Sequence, residues 1–121
     1  MCFVVEYTHP ESFIAKEDIT CYKVVNYREE KIVSEYKKFV YDIDKLYKLD
    51  EPLKEINGQI EKGFHSYTKL RIAVGDKTDY QIVIKCIIPK GSVYFISDYY
   101  EEYVADAIII KEILVNKTEE E

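Results

Sequence analysis

Apolar and polar positions alternate most densely between residues 80 and 96, which read YQIVIKCIIPKGSVYFI. Ile82, Ile84, Cys86 and Ile88 share one face of an extended chain, because successive side chains point to opposite faces of a strand. Val83 and Ile87 fall on the other face, interrupted by Lys85. A strand that is apolar on both faces is central in its sheet and covered on both sides for part of its length. Pro89 then removes a backbone donor and Gly91 permits a positive φ, so PKGS predicts a turn, after which VYFI resumes strand composition.

The same reading gives the other elements in order. Residues 1–7 (MCFVVEY) and 19–27 (ITCYKVVNY) have strand composition, separated by a mixed stretch and followed by a polar break at REEK. In 32–41 the β-rich residues outweigh a possible helical spacing of Ile32, Tyr36, Phe39 and Val40, and the segment is read as a strand. Ile43, Leu46 and Tyr47 make a helical stripe in DIDKLYKL that Asp50 and Pro52 stop within about two turns. Asn57-Gly58, between Ile56 and Ile60, is a hairpin signal. GFHSYTKLRIAVGD predicts the main helix, over about 66–75, with Ser66 as cap, Tyr67, Leu70, Ala73 and Val74 as its buried stripe, and Gly75 as its end. SDYYEE reads as a polar and aromatic loop, and 103–115 as a last strand. The sum is an α+β domain over 1–116, a mostly antiparallel twisted sheet of about five to seven strands with one main helix and short helical turns, ending in an acidic tail at 117–121.

Composition narrows the class. The 121 residues suit one core, with 47% hydrophobic and 33% charged residues in the globular range. A formal net charge of -6 argues against a nucleic acid polymer as partner, since that affinity needs clustered Lys and Arg. Twelve tyrosines with no tryptophan favour strands and also suit a binding surface, each ring being a large apolar body with a polar tip. Cys2, Cys21 and Cys86 form no close-spaced pair, so neither a disulfide framework nor a zinc-knuckle spacing is expected, and the thiols are read as reduced. No apolar run reaches the length of a membrane span and no secretory signal pattern opens the chain, so a cytoplasmic protein is expected.

Candidate chemistry is sparse. PKGS is not a phosphate-binding loop, because Lys90 precedes the glycine and a strand rather than a helix follows. His65, beside Ser66 and Tyr67, could hydrogen-bond a ribose hydroxyl or move a proton, or simply pack a loop. Tyr99, Tyr100 and Tyr103, with Glu101, Glu102 and Asp106, could stack a ring and bind its polar groups, with Tyr94 brought near by the PKGS bend. Lys37, Lys38, Lys45 and Lys48 could supply a local positive field, or only solubility. No complete catalytic set and no metal-ligand spacing is present, so no catalytic residue, metal or cofactor is assigned.

The opening MC, KEDITCYKVV, GFHSY, CIIPKGSVYF and YVADAIII together resemble small proteins encoded by gut bacteria and their phages. That resemblance implies a cytoplasmic, phage-borne accessory protein of a bacterial host cell, for which an anti-defence role is the expectation. A looser similarity is to the ADP-ribosyltransferase-like fold. In that fold an early strand carrying Leu-Tyr-Arg opens an NAD site, a middle strand carries a Ser or Tyr motif, and a late Glu completes catalysis. Here CYKVV puts Lys23 where the Arg would stand, GFHSY supplies His65, Ser66 and Tyr67, and Glu101 or Glu102 precedes the last strand. IPKGSVYF is similar to that fold's Ile-Pro-x-Gly-x-x-Tyr segment. With Lys for Arg and no Glu-x-Glu, the similarity implies a nucleotide-binding remnant rather than an active transferase.

The expectation is therefore a non-enzymatic binding protein that sequesters a small nucleotide-type signal or blocks a host protein, with a homo-oligomer compatible with its tyrosine-rich surface. Its ligand-binding candidates are Lys23, His65, Ser66, Tyr67, Tyr94, Tyr99, Tyr100, Glu102 and Tyr103. The alternatives are an enzyme acting on NAD and a structural assembly protein.

Overall fold

The computed structural model describes residues 3–4, 12–29, 31–33, 40–56, 59–60, 62–97 and 101–115. Its frame is a pair of long antiparallel strands, β3 (Ile19–Arg28) and β10 (Gln81–Ile88), in register from Gln81 opposite Asn26 to Ile88 opposite Ile19. Chain order fills in the rest with β1 (Phe3–Val4), β2 (Phe13–Ile14), β4 (Lys31–Val33), β5 (Val40–Tyr41), β6 (Leu46–Lys48), β7 (Glu55–Ile56), β8 (Gln59–Ile60) and β9 (Phe64–Tyr67). The helix α1 (Leu70–Asp76) precedes β10, and β11 (Val93–Ser97), β12 (Glu102–Ala105) and β13 (Ala107–Val115) follow it. The main sheet runs β2-β11-β12-β9-β3-β10-β13-β6, with β4 and β5 branching from β3, while β1, β8 and β7 form a small second sheet. Every pairing among the described residues is antiparallel.

The central stretch is the two-sided strand its pattern predicts. Ile82, Ile84, Cys86 and Ile88 enter the largest core cluster with Cys21, Val25, Ala105, Ile108 and Ile110. Val83 faces the other side, packing with Val24 and Ala73 of α1. A third cluster on that outer side joins Ile60 to Phe95 and Val104. On the inner side the β4–β5 arm curls over until Tyr41 meets Tyr47 edge-on, ring centroids 5.1 Å apart. PKGS is a type II turn: the Ser92 N–H donates to Pro89 O at 3.0 Å and Gly91 takes φ +91° at the position that demands it. Asp18 Oδ1 accepts the Lys90 N–H and Ala15 exchanges two backbone bonds with Gly91 and Ser92, so the turn is anchored to β2's exit.

Four expectations are corrected. The fold is α+β, but the described residues form a ten-stranded main sheet rather than five to seven strands. The helix starts at Leu70, after Lys69, and residues 64–67 are strand β9 instead of a capped first turn; Gly75 lies inside the helix. DIDKLYKL is a turn and the edge strand β6, because Tyr47 alone is buried between exposed Leu46 and Lys48 and the backbone finds β13 as its partner. Residues 103–115 are two strands. At Asp106 the chain leaves β11 and β9 and crosses to β10 and β6, with Asp106 Oδ1 accepting the Val93 N–H at 3.0 Å. Strand character holds at both ends of 32–41, and β7 and β8 pair around Asn57-Gly58, although positions 34–39 and 57–58 themselves lie outside the described residues. So do the acidic tail at 117–121 and most of 1–7.

Gly63 admits β9 to this arrangement. A Cβ at that position would come within 2.5 Å of Val104 Cγ2 and 2.9 Å of Leu53 Cδ2. Gly63→Ala is therefore expected to lower stability by about 1–3 kcal/mol, the usual range for overpacking. Urea denaturation of the variant beside the parent protein measures it, and an unchanged midpoint would contradict the close packing.

Candidate functional site

Strands β12, β9 and β3 are consecutive in the sheet, so segments near residues 23, 66 and 103 lie side by side. Period-two alternation then sorts their side chains. Tyr22 opposes Tyr67, and Ser66 opposes Tyr103, which puts Lys23, Ser66 and Tyr103 on the inner face and His65, Tyr67 and Glu102 on the outer one. Tyr94 joins the inner group, its ring T-shaped to Tyr103 at 5.7 Å and tilted against Phe13 at 5.8 Å. Beyond Phe13 an open groove of about 340 Å³ is lined by Phe13, Ile14, Lys16, Glu17, Ile19 and Tyr94. The structure thus brings together four of the nine candidates inside and three outside, while Tyr99 and Tyr100 lie outside the described residues.

Lys23 is held rather than loose. Its Nζ donates to the His65 carbonyl at 2.7 Å and stands 6.0 Å from the centre of the Tyr41 ring. Of the charged residues in β3, β9 and β12, Lys23 faces inward whereas Arg28 and Glu102 do not. The face it occupies carries the rings of Tyr41, Tyr94 and Tyr103. Burial, with Cys86 and Tyr47 adding to it, lifts the Tyr41 phenol well above its ordinary value, and burial also raises Tyr103. These phenols stay neutral at physiological pH, so they offer rings and hydrogen bonds to a ligand rather than negative charge.

The outer group has a different character. Glu102 is buried between Ser97 and Tyr67 of the neighbouring strands, and burial together with the Asp76 carboxylate pushes its carboxyl up to about 7. The Tyr67 hydroxyl donates to Asp76 Oδ2 at 2.9 Å, tying β9 to the end of α1. Glu101, at φ +53° in the turn before β12, accepts Lys69 at 2.9 Å and lies 3.9 Å from Arg71; the Lys69 hydrogen bond holds its carboxyl below the ordinary range. These contacts latch the helix to the sheet.

Two inner-face residues escaped the sequence reading. Cys21 and Cys86 are opposite each other across β3 and β10, both fully buried and both free thiols. Their separation along the chain hides the pair, but each sits on the apolar face of one of the two strongest strand stretches, and that shared parity is the available signal. Among the described residues no group of three or more His, Cys, Asp or Glu could hold a metal ion. No helix among the described residues is long and apolar enough to cross a membrane. No protein-family model, curated protein or solved structure matches the chain.

Proposed function

We propose that the chain is a non-enzymatic binding protein whose inner face takes a small nucleotide-type ligand, its anionic group at Lys23 and its ring against Tyr94 and Tyr103. The observation that carries this reading is the inward ammonium of Lys23 on a tyrosine-lined face from which Glu102 is turned away. A cation favours phosphate there, and tyrosine rings stack against a base. Sequestration of a signal inside a bacterial cell by a phage-borne accessory protein is the role this chemistry fits; the same aromatic face could instead block a host protein.

Calorimetry against mononucleotides and cyclic dinucleotides tests the reading. Binding is expected for at least one of them, with Lys23→Met weakening it tenfold or more while the fold, followed by circular dichroism, is retained. No heat across the panel removes the proposal. The second reading, an enzyme of the ADP-ribosyltransferase-like class acting on NAD, draws support from the adjacency of β3, β9 and β12. Its three residues, His65, Tyr67 and Glu102, share the outer face, whereas Lys23, which stands where that fold's arginine would be, is separated from them by the sheet and weighs against it. Nicotinamide release from NAD, measured in the same samples, would favour the enzyme.

A further inference from the structure

Two thiols directly opposed on neighbouring antiparallel strands have Cα atoms about 4.5–5.5 Å apart. A disulfide spans about 4.4–6.8 Å between Cα atoms, so Cys21 and Cys86 could be joined without moving either strand. Buried cysteines in apolar surroundings are ordinarily inert. This pair is set apart by its neighbours. The Ser66 hydroxyl, 4% exposed, lies against Cys21. The Lys23 ammonium occupies the next inward position on β3.

These groups act on the two sulfurs unequally. The Cys86 thiol, with Ser66 and Lys23, pulls the neighbouring Cys21 thiol below its ordinary value against the effect of burial. Burial first, then its thiol neighbour, pushes Cys86 well above. Cys21 is thus the more acidic thiol of the two and the first to release its proton to solvent. Cys21 is fully buried, and the side chains beside it, Lys23 and Tyr103, are partly exposed, so an oxidant reaches the sulfur by displacing side chains rather than a strand.

We propose that Cys21 and Cys86 are an oxidisable dithiol site that takes a small hydroperoxide and closes to an intramolecular disulfide. The Cys21 sulfur attacks one peroxide oxygen, the O–O bond breaks, and the departing oxygen takes a proton from solvent and leaves as water when the oxidant is hydrogen peroxide. Cys21 is then a sulfenic acid. Cys86 gives up its proton, attacks the Cys21 sulfur and displaces the hydroxyl as a second water. Two thiols have lost two electrons and the peroxide has gained them. This assignment is independent of the ligand reading, and either can fail without the other.

The test is to expose the folded, fully reduced chain to hydrogen peroxide, block remaining thiols with an alkylating reagent in denaturant, and map the peptides by mass spectrometry. The expected product is a linked Cys21–Cys86 peptide pair, two hydrogens lighter than the sum of its parts, at least tenfold more abundant than both linkages to Cys2 together and lost on treatment with dithiothreitol. In Cys86→Ser, Cys21 is expected to stop as a sulfenic acid captured by a 1,3-dione probe. Alkylated Cys21 and Cys86 at a dose that oxidises Cys2, or an even mixture of the three linkages, overturns the proposal whether or not the variant folds.

Discussion

Replacing Ile84 by alanine is expected to cost about 2–5 kcal/mol, a large share of the roughly 5–15 kcal/mol by which a domain is ordinarily stable. Ile84 is fully buried on β10, with Lys23 of β3 on one side and Ile113 of β13 on the other. It lies in the cluster that holds Cys86, Ile82, Ile108 and Ile110. Truncation removes three carbons from water-excluded contact, and the cavity left behind cannot collapse easily, because its walls are strands fixed by their own ladders. A lower urea midpoint with an unchanged slope is the result that matches this mechanism. Ile87, on the opposite face of the same strand and only partly buried, is the control: Ile87→Ala should cost clearly less. Equal losses at both positions would mean that the inner face is not the principal core.

Glu102→Gln is expected to stabilise the chain at alkaline pH and to leave it unchanged in acid. The Glu102 carboxyl titrates at about 7 in the fold against an ordinary value of 4.5, because burial and the nearby Asp76 disfavour its charged form. A folded value above the unfolded one means that the native state binds the extra proton between those two pH values. Stability therefore falls as pH rises from about 4.5 to about 7, and the whole penalty, on the order of 3 kcal/mol, is present above that window. Glutamine imitates the protonated acid and carries no such penalty. The groups around it, Tyr67 bonded to Asp76, and Lys69 and Arg71 beside Glu101, are common to both proteins and cancel in the comparison. Chemical denaturation at pH 4, 6 and 8 should show a difference that opens across this interval. A difference that is constant with pH would show that Glu102 does not ionise as its surroundings dictate.

The frame of the fold was legible because β3 and β10 carry alternation on long, uninterrupted runs, and because Pro89 and Gly91 fix a turn chemically. Shorter segments were not. The spacing of Tyr67, Leu70, Ala73 and Val74 suits a helix, yet pairing of Phe64 to Tyr67 with both β12 and β3 decides the matter for strand. Tyr47 looked like part of a helical stripe with Ile43 and Leu46, although both of those are exposed. The same misreading blurred the site. Taken as a helix start, His65, Ser66 and Tyr67 form one cluster; as a strand they divide between two faces, and Glu102 parts from Tyr103 in the same way. Lys23, Ser66, Tyr94 and Tyr103 could be named from sequence, but their company could not. Shared parity put both thiols on apolar strand faces but could not put them opposite each other, because opposition depends on register, and no spacing along one chain encodes register between strands 55 residues apart, as Gln81 and Asn26 are.

That same separation governs how the molecule is made. β3 is finished by residue 28, but its partners β9 and β10 are not complete until residues 67 and 88. Emerging from a ribosome, β3 has only the short hairpin with β4 to occupy one end, and its apolar face of Ile19, Cys21 and Val25 waits for most of the chain. Loops this long close before any contact rewards them, which places the fold among the slow, high-contact-order class. The inward Lys23, midway along that waiting face, interrupts what would otherwise be a continuous sticky edge, and so guards the nascent chain against pairing with its neighbours.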